Sequence, residues 1–426
     1  MDKKSSLIPM IIIGLLFFIF GFVTWLNGSL IPFLKVICTL SDLEALFVTF
    51  AFYIAYTVMA LPMAYLLDKT GYKNGMSLGL GMMSVGSLLF IPAALNAEFI
   101  YFLVALFTLG SGLTLLQTAS NPYIVLIGPI ESAAMRISIM GLINKSAGVL
   151  APIIFTVLIL SGIGSTQNLS AFEIDTLAHK LIIPYGVMAS VLFLLAFFVK
   201  FSPLQELEFI QDEYDDSSVF SFPRVVLGAV ALFFYVGIEV IAGDTIGLYA
   251  QSLGVLNATV LTSYTMVFMV ISYLIGVFFI PKYLSQEKAL TGSAILGITL
   301  LICVAFSSTT DNAISTFLWG WSGIQTLPDS VTFVALLGLA NALVWPTIWP
   351  LALEDLGKHT AKGSALLIMS IAGGALLPLA FGKLSLISGS MQEAYLYGIV
   401  CYGVILLYAL KGHKVTGWRK SSVIDD

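Results

Sequence analysis

The stretch Phe17-Phe18-Ile19-Phe20-Gly21, running on to Asn27-Gly28-Ser29, returns 216 positions later as Phe233-Phe234-Tyr235-Val236-Gly237, running on to Gly243-Asp244-Thr245. Two further pairs keep the same order. Asn121-Pro122 matches Trp349-Pro350, and Gly148-Val149-Leu150-Ala151-Pro152 matches Gly374-Ala375-Leu376-Leu377-Pro378. A chain written twice in apolar residues implies two parallel membrane-embedded halves, with a binding site between them that faces either side in turn. That is the design of a carrier and points away from an enzyme.

Composition supports the membrane reading. Of 426 residues, 58% are hydrophobic and only 10% charged, outside the usage of soluble domains. Twelve apolar runs are long enough to cross a hydrocarbon core of about 30 Å. They lie near 7–34, 44–66, 74–95, 99–127, 137–163, 181–201, 225–251, 258–281, 288–307, 331–354, 362–387 and 393–410. The expected fold is an all-α membrane protein of two six-helix bundles related by a pseudo-two-fold axis along the membrane normal. Residues 1–201 form the first bundle, 202–224 an acidic cytoplasmic linker, and 225–426 the second bundle with a short cytoplasmic tail. The net charge of -5 comes largely from Glu206, Glu208, Asp212, Glu213, Asp215 and Asp216 in that linker.

Lys3 and Lys4 precede an apolar run too long for a signal peptide and without a small-residue cleavage site, so the run is a first span that stays. With the N-terminus inside, 15 of the 19 Lys and Arg fall in cytoplasmic loops and tails, which places both termini in the cytoplasm. The polar stretch 307–330 becomes an outer loop, read as a loose connector. Cys38, Cys303 and Cys401 show no metal spacing or pairing pattern. Pro122 and Pro350 each remove a helical hydrogen bond, so spans four and ten are expected to kink there. Gly75, Gly79, Gly110, Gly112 and Gly148 are read as close helix packing, with hinges as the alternative.

Ionisable residues within spans are expensive and mark cavities or partners. Lys145 lies nine residues from Arg136, roughly 13 Å along its helix, and Glu239 fifteen from Arg224, about 22 Å. Asp244 is farther outward. Lys145 reads either as a sugar or coupling contact or as half of a structural ion pair, with Glu239 a possible partner across the halves. Recognition of a sugar needs amides for its hydroxyls and a flat apolar surface for the ring. Gln117 and Trp345, repeat partners in spans four and ten, supply one of each. Asn27, Asn121, Asn144 and Asn341 add amides, with interhelical hydrogen bonds as the alternative reading. His179, His359 and His413 fall in loops or the tail, and no nucleophile or metal motif lies in a span, which weakens a membrane enzyme.

Between spans two and three the chain reads Asp68-Lys69-Thr70-Gly71-Tyr72-Lys73. This resembles the loop signature of the major facilitator superfamily, Gly-x-x-x-Asp-Arg/Lys-x-Gly-x-Lys/Arg, with Ala64 in place of its first glycine. Asp68, Lys69 and Lys73 would form a conformational latch across the halves, one-sided because Pro281-Lys282-Tyr283-Leu284 lacks the acid. A closer resemblance runs through Thr24-Trp25-Leu26-Asn27-Gly28-Ser29-Leu30-Ile31-Pro32, Leu116-Gln117-Thr118-Ala119-Ser120-Asn121-Pro122-Tyr123 with Gly128-Pro129, and Lys362-Gly363-Ser364 with Gly373-Gly374. These look like the fucose, galactose and glucose symporter family. Gly128-Pro129-Ile130-Glu131-Ser132-Ala133-Ala134 and Ile143-Asn144-Lys145 are more similar to its bacterial glucose/galactose branch than to the fucose permeases.

What the resemblance implies is cation-coupled import of a monosaccharide across the bacterial inner membrane. The family's proton-carrying aspartate and glutamate align with Gly28 and Gln117, neither of which can take a proton. By the internal repeat Gly28 corresponds to Asp244, so Asp244, with Glu239, is the candidate for cation coupling. The coupling ion is expected to be sodium rather than a proton, held by carboxylate, amide, hydroxyl and carbonyl oxygens. No cofactor, structural metal, nucleic acid or obligatory protein partner is implied; the partners are the sugar and the lipid bilayer. N-acetylglucosamine carriers look similar and remain an alternative, as does a sugar sensor with a transporter fold.

Overall fold

The computed structural model describes residues 7–127, 133–160, 171–206, 219–280, 283–354, 356 and 360–418. Every long element among them is a helix. Eleven helices are long and apolar enough to span a bilayer, and the bent pair Asp42–Val58 and Ala60–Thr70 makes a twelfth. In order these are span one Ile8–Ile37, span two the bent pair, span three Tyr72–Asn96, span four Phe99–Asn121, span five Met135–Ile159 and span six Phe172–Phe201. Span seven is Pro223–Asp244, followed by span eight Ala258–Phe279, span nine Gln286–Phe306, span ten Asp329–Leu353, span eleven Lys362–Ser388 and span twelve Met391–Lys414. The acidic run 207–218, the family-like Gly128-Pro129 segment, Lys282, Lys358 and both charged termini lie outside the described residues.

The packing repeats as the sequence does. Within the first half span one packs on five, three on four, two on four and three on six. Within the second half seven packs on eleven, nine on ten, eight on ten and nine on twelve. Between the halves, span five packs on eight and span two on eleven, again a symmetric pair. At the end opposite the chain termini the halves are joined directly. There Ser29 Oγ donates to the Thr259 carbonyl at 2.6 Å, the Thr156 and Thr259 hydroxyls lie 2.8 Å apart, and Gln251 Nε2 donates to the Pro32 carbonyl at 3.4 Å.

Glycine fits spans three and four together. A Cβ on Gly79 would lie 2.8 Å from the Gly112 carbonyl oxygen, and one on Gly112 2.6 Å from that of Gly79. Gly110 faces the Phe52 carbonyl and Gly148 the Trp25 ring in the same way. Gly79, Gly110 and Gly112 let backbone pack on backbone, and Gly148 seats the Trp25 ring. Gly112→Val is therefore expected to cost about 1–3 kcal/mol by overpacking, read as a lower unfolding midpoint of the detergent-purified protein.

The breaks in the spans have local causes. Pro62 lacks the N–H that would bond Val58, and span two bends by 53° at Met59. Pro346 stands in the same relation to Ala342, and span ten divides into Asp329–Asn341 and Val344–Leu353. The break thus lies one turn before the one Pro350 would cause, and Pro350 sits inside the second piece. Span four runs as one helix from Phe99 past residue 122 to Leu126, so it is not broken there. Spans one and seven are interrupted in the third farthest from the chain termini. One divides into Leu7–Trp25 and Asn27–Ile37 at Leu26; the other continues after Thr245 as Ile246–Ser252.

Two loops differ from expectation. The 307–330 segment is a tied cap, not a loose connector: it forms the helix Ala313–Trp319, and Asp329 Oδ1 accepts from the Ile314 N–H at 2.8 Å while Ser315 Oγ donates to the Leu327 carbonyl at 2.7 Å. At the latch, Gly71 adopts φ of +76°, which turns the chain into span three and bares that helix's first N–H groups. Glu206 from the start of the linker accepts from the Lys73 N–H at 3.3 Å, and Lys69 Nζ lies 4.3 Å over the Tyr65 ring. In this conformation the corner holding Asp68, Lys69 and Lys73 is tied to the first half's own linker; the expected pairing across the halves is not seen among the described residues.

Candidate functional site

A cavity of about 120 Å3 lies on the axis between the halves. Span one supplies Phe17, Phe20 and Trp25 to its wall, span two Tyr53 and Tyr56, span four Gln117 and Asn121, and span five Asn144 and Lys145. Across the axis stand Tyr235 and Glu239 of span seven, Tyr273 of span eight and Trp345 of span ten. The hydroxyl contacts at Ser29 and Thr259 close the molecule on the side away from the termini.

At the centre, Lys145 Nζ donates to Glu239 Oε1 at 2.7 Å, an ion pair that links one half to the other. Tyr235, one helical turn before Glu239, donates its hydroxyl to the same oxygen at 2.7 Å. Lys145 Nζ also lies 4.1 Å from the centre of the Trp25 ring, where the π face favours a cation. A charge here would be costly to bury alone, and each is compensated by the other. Because Oε1 carries both bonds, Glu239 Oε2 is left for a ligand hydroxyl.

The amides have distinct settings. Gln117 Nε2 donates to the Tyr56 hydroxyl at 2.8 Å, and its carbonyl oxygen remains an acceptor at the wall. Asn144 is more constrained: its Oδ1 accepts from Trp25 Nε1 and its Nδ2 donates to the Phe17 carbonyl, both at 3.4 Å, so it also holds span one against span five. Tyr53 and Tyr56 stack with 6.3 Å between ring centres, and Trp345 lies 6.3 Å from Tyr235 and 5.5 Å from Trp349. Flat aromatic faces, unspent amide groups and one internally neutralised ion pair suit a neutral polyhydroxyl ligand.

Five of the seven sequence-predicted sugar residues line this cavity: Gln117, Asn121, Asn144, Lys145 and Trp345. Two do not. Asn341 is 0% exposed, and its Oδ1 accepts from the Tyr402 hydroxyl at 2.7 Å inside the second half. Asn27 is 1% exposed and lies beyond Trp25, off the cavity wall. The two carboxylates also separate: Glu239 faces the cavity, whereas Asp244 is 0% exposed and does not line it. Beyond Trp345 the aromatic lining went unrecognised in the sequence, although Tyr53 with Tyr56 and Tyr235 with Glu239 stand at i,i+3 and i,i+4 spacing, the signature of a shared helix face. Among the described residues no group of three His, Cys, Asp or Glu side chains is placed to hold a metal.

Comparison with known proteins agrees with this architecture. The family model described as Major Facilitator Superfamily matches residues 13–378. A protein named glucose/galactose transporter from Brucella abortus biovar 1 (strain 9-941) is 34% identical over 408 residues, covering 94% of this chain and 93% of the relative. The L-fucose-proton symporter of Escherichia coli (strain K12) is 26% identical over 431 residues, 96% of this chain and 94% of the relative. The crystal structure of a transporter of the superfamily, FucP, in the outward conformation superposes with a TM-score of 0.71 at 25% identity, over 95% of this chain and 99% of that one. With the repeat, the paired bundles and the axial cavity, these findings place the chain in the major facilitator superfamily, among relatives that carry sugars.

Proposed function

We propose that this chain is a cation-coupled hexose carrier, importing glucose or galactose by alternating access across a bacterial inner membrane, with both termini in the cytoplasm. The observation that carries the reading is the axial cavity, walled by aromatic faces and amides and bridged from half to half by the Lys145–Glu239 pair. The glucose/galactose name of the 34% identical relative supports the substrate class. The excess of Lys and Arg on the terminal side supports the orientation, and on it the structure is the state closed to the outside.

Radiolabelled glucose uptake into proteoliposomes tests it, with an inward sodium gradient at equal pH and, separately, an inward proton gradient without sodium. Accumulation that unlabelled galactose competes away is the expected result, with sodium as the driving ion. Absence of glucose and galactose accumulation under both gradients overturns the reading, and N-acetylglucosamine is then the next substrate to try. Within the cavity, Gln117→Ala removes a contact worth about 1 kcal/mol and is expected to raise the KM for sugar about fivefold. Asn341→Ala, away from the wall, is expected to lower thermal stability and leave KM unchanged; equal KM shifts in both variants would contradict this placement.

A further inference from the structure

We propose that the coupling cation is held at Asp244, in an enclosed site where the two broken helices cross, separate from the sugar cavity. The use of the site in coupling rests on the transport reading above; its existence as a cation site does not.

The breaks in spans one and seven touch. A Cβ on Gly28 would lie 3.1 Å from the Gly243 carbonyl oxygen and run into Thr262 Oγ1, and one on Gly247 would lie 3.4 Å from the Gly28 carbonyl oxygen. At this crossing sit two buried side chains with unspent polar atoms: both carboxylate oxygens of Asp244, and Nδ2 of Asn27. A carboxylate with no hydrogen-bond partner in a dry interior is strongly disfavoured unless a cation neutralises it. The charged groups within electrostatic reach are Glu239 and Lys145, already spent on each other, with the Tyr53 phenol beside them. Tyr395 reaches the adjoining Thr245 hydroxyl at 2.8 Å and not the carboxylate.

The makeup of the crossing bears on the class of cation. Thr262 Oγ1 donates to the Gly243 carbonyl at 2.7 Å and Thr265 Oγ1 to the Ala242 carbonyl at 3.3 Å, so two span-eight hydroxyls meet the carbonyls of the last turn before Asp244. One carboxylate with neutral oxygen donors fits a monovalent cation, sodium or a proton on Asp244 itself; a divalent ion calls for more carboxylates than are here. The site lies between a helix of each half and adjoins the Ser29 contact that closes the outer end. Its occupation therefore favours the closed crossing, and an uncompensated Asp244 opposes it.

Two measurements on the full chain decide the matter. In detergent, without sugar, the unfolding midpoint is compared in sodium chloride and choline chloride at fixed pH, and between pH 5 and 8 without sodium. The wild type is expected to be stabilised by sodium, or by acid if the cation is a proton, and Asp244→Asn to lose that response. In proteoliposomes the same variant is expected to lose gradient-driven hexose accumulation tenfold or more. Should Asp244→Asn not fold, Thr262→Val takes its place, with the sodium concentration for half-maximal stabilisation raised about fivefold. A wild-type protein indifferent to both cations, or an Asp244→Asn protein that keeps the wild-type response or accumulation, overturns the proposal. A wild type that binds the cation and moves no hexose leaves the site standing and rejects the sugar reading instead.

Discussion

Lys145→Met abolishes net sugar uptake and destabilises the protein by about 3–5 kcal/mol, the cost of leaving one partner of a buried ion pair alone. The loss is large because Glu239 keeps only the Tyr235 hydroxyl on Oε1 once the ammonium is gone, and because the pair crosses from span five to span seven. Its removal therefore withdraws a contact between the halves as well as a donor at the cavity wall. The double variant Lys145→Met/Glu239→Gln separates the two effects. With neither charge present, most of the stability is expected to return, since a neutral amide can still accept from Tyr235; uptake is not expected to return if the pair contacts the sugar as proposed. Unfolding midpoints and initial uptake rates of the two variants in one preparation make the comparison. A single variant as stable as the wild type would show that the pair is already well hydrated, and a double variant that transports normally would remove it from the mechanism.

Gly28→Asp is the second large effect, and it runs against intuition. The resemblance to the fucose permeases suggests that restoring an aspartate in span one would restore a proton carrier. The geometry forbids it: the space for a Cβ is taken by Thr262 Oγ1, itself fixed on the Gly243 carbonyl. Overpacking of about 1–3 kcal/mol adds to the burial of a second carboxylate beside Asp244, which costs several kcal/mol more. The expected outcome is a protein that fails to fold or elutes as aggregate on size exclusion. Thr262→Ala made first opens the space and relieves only the overpacking share, so the double variant is expected to recover part of the folded, monodisperse peak. Normal folding of Gly28→Asp alone would mean that spans one and eight separate easily at this point.

The two halves, the span order and the amide and charged groups of the cavity wall were legible in the sequence, because repeat, hydropathy and depth along a helix are one-dimensional properties. Azimuth was not. Each residue turns a helix by about 100°, so Glu239 and Asp244, five apart, point about 140° away from each other. In a soluble helix the apolar stripe tells which face is inside; a span that meets lipid on one side and protein on the other is apolar all round and loses that signal. Hence Asn341 and Asn27 had the right depth and the wrong face. The proline reading failed for a related reason. Pro346 and Pro350 stand one turn apart in span ten, and only packing against neighbouring helices decides which of two equivalent lesions opens the helix.

The backbone contact of Gly79 on Gly112 has a consequence for how substitutions should sort. Helices seated that closely have little slack, so spans three and four are expected to move as one unit. Movement is then expected at the seam between the halves, where hydroxyls, aromatic rings and the Lys145–Glu239 pair can exchange partners. Changes at the glycine contacts should therefore alter how much protein a cell accumulates, with each surviving molecule working at its normal pace. Changes along the seam should do the reverse, leaving abundance intact and resetting the turnover rate.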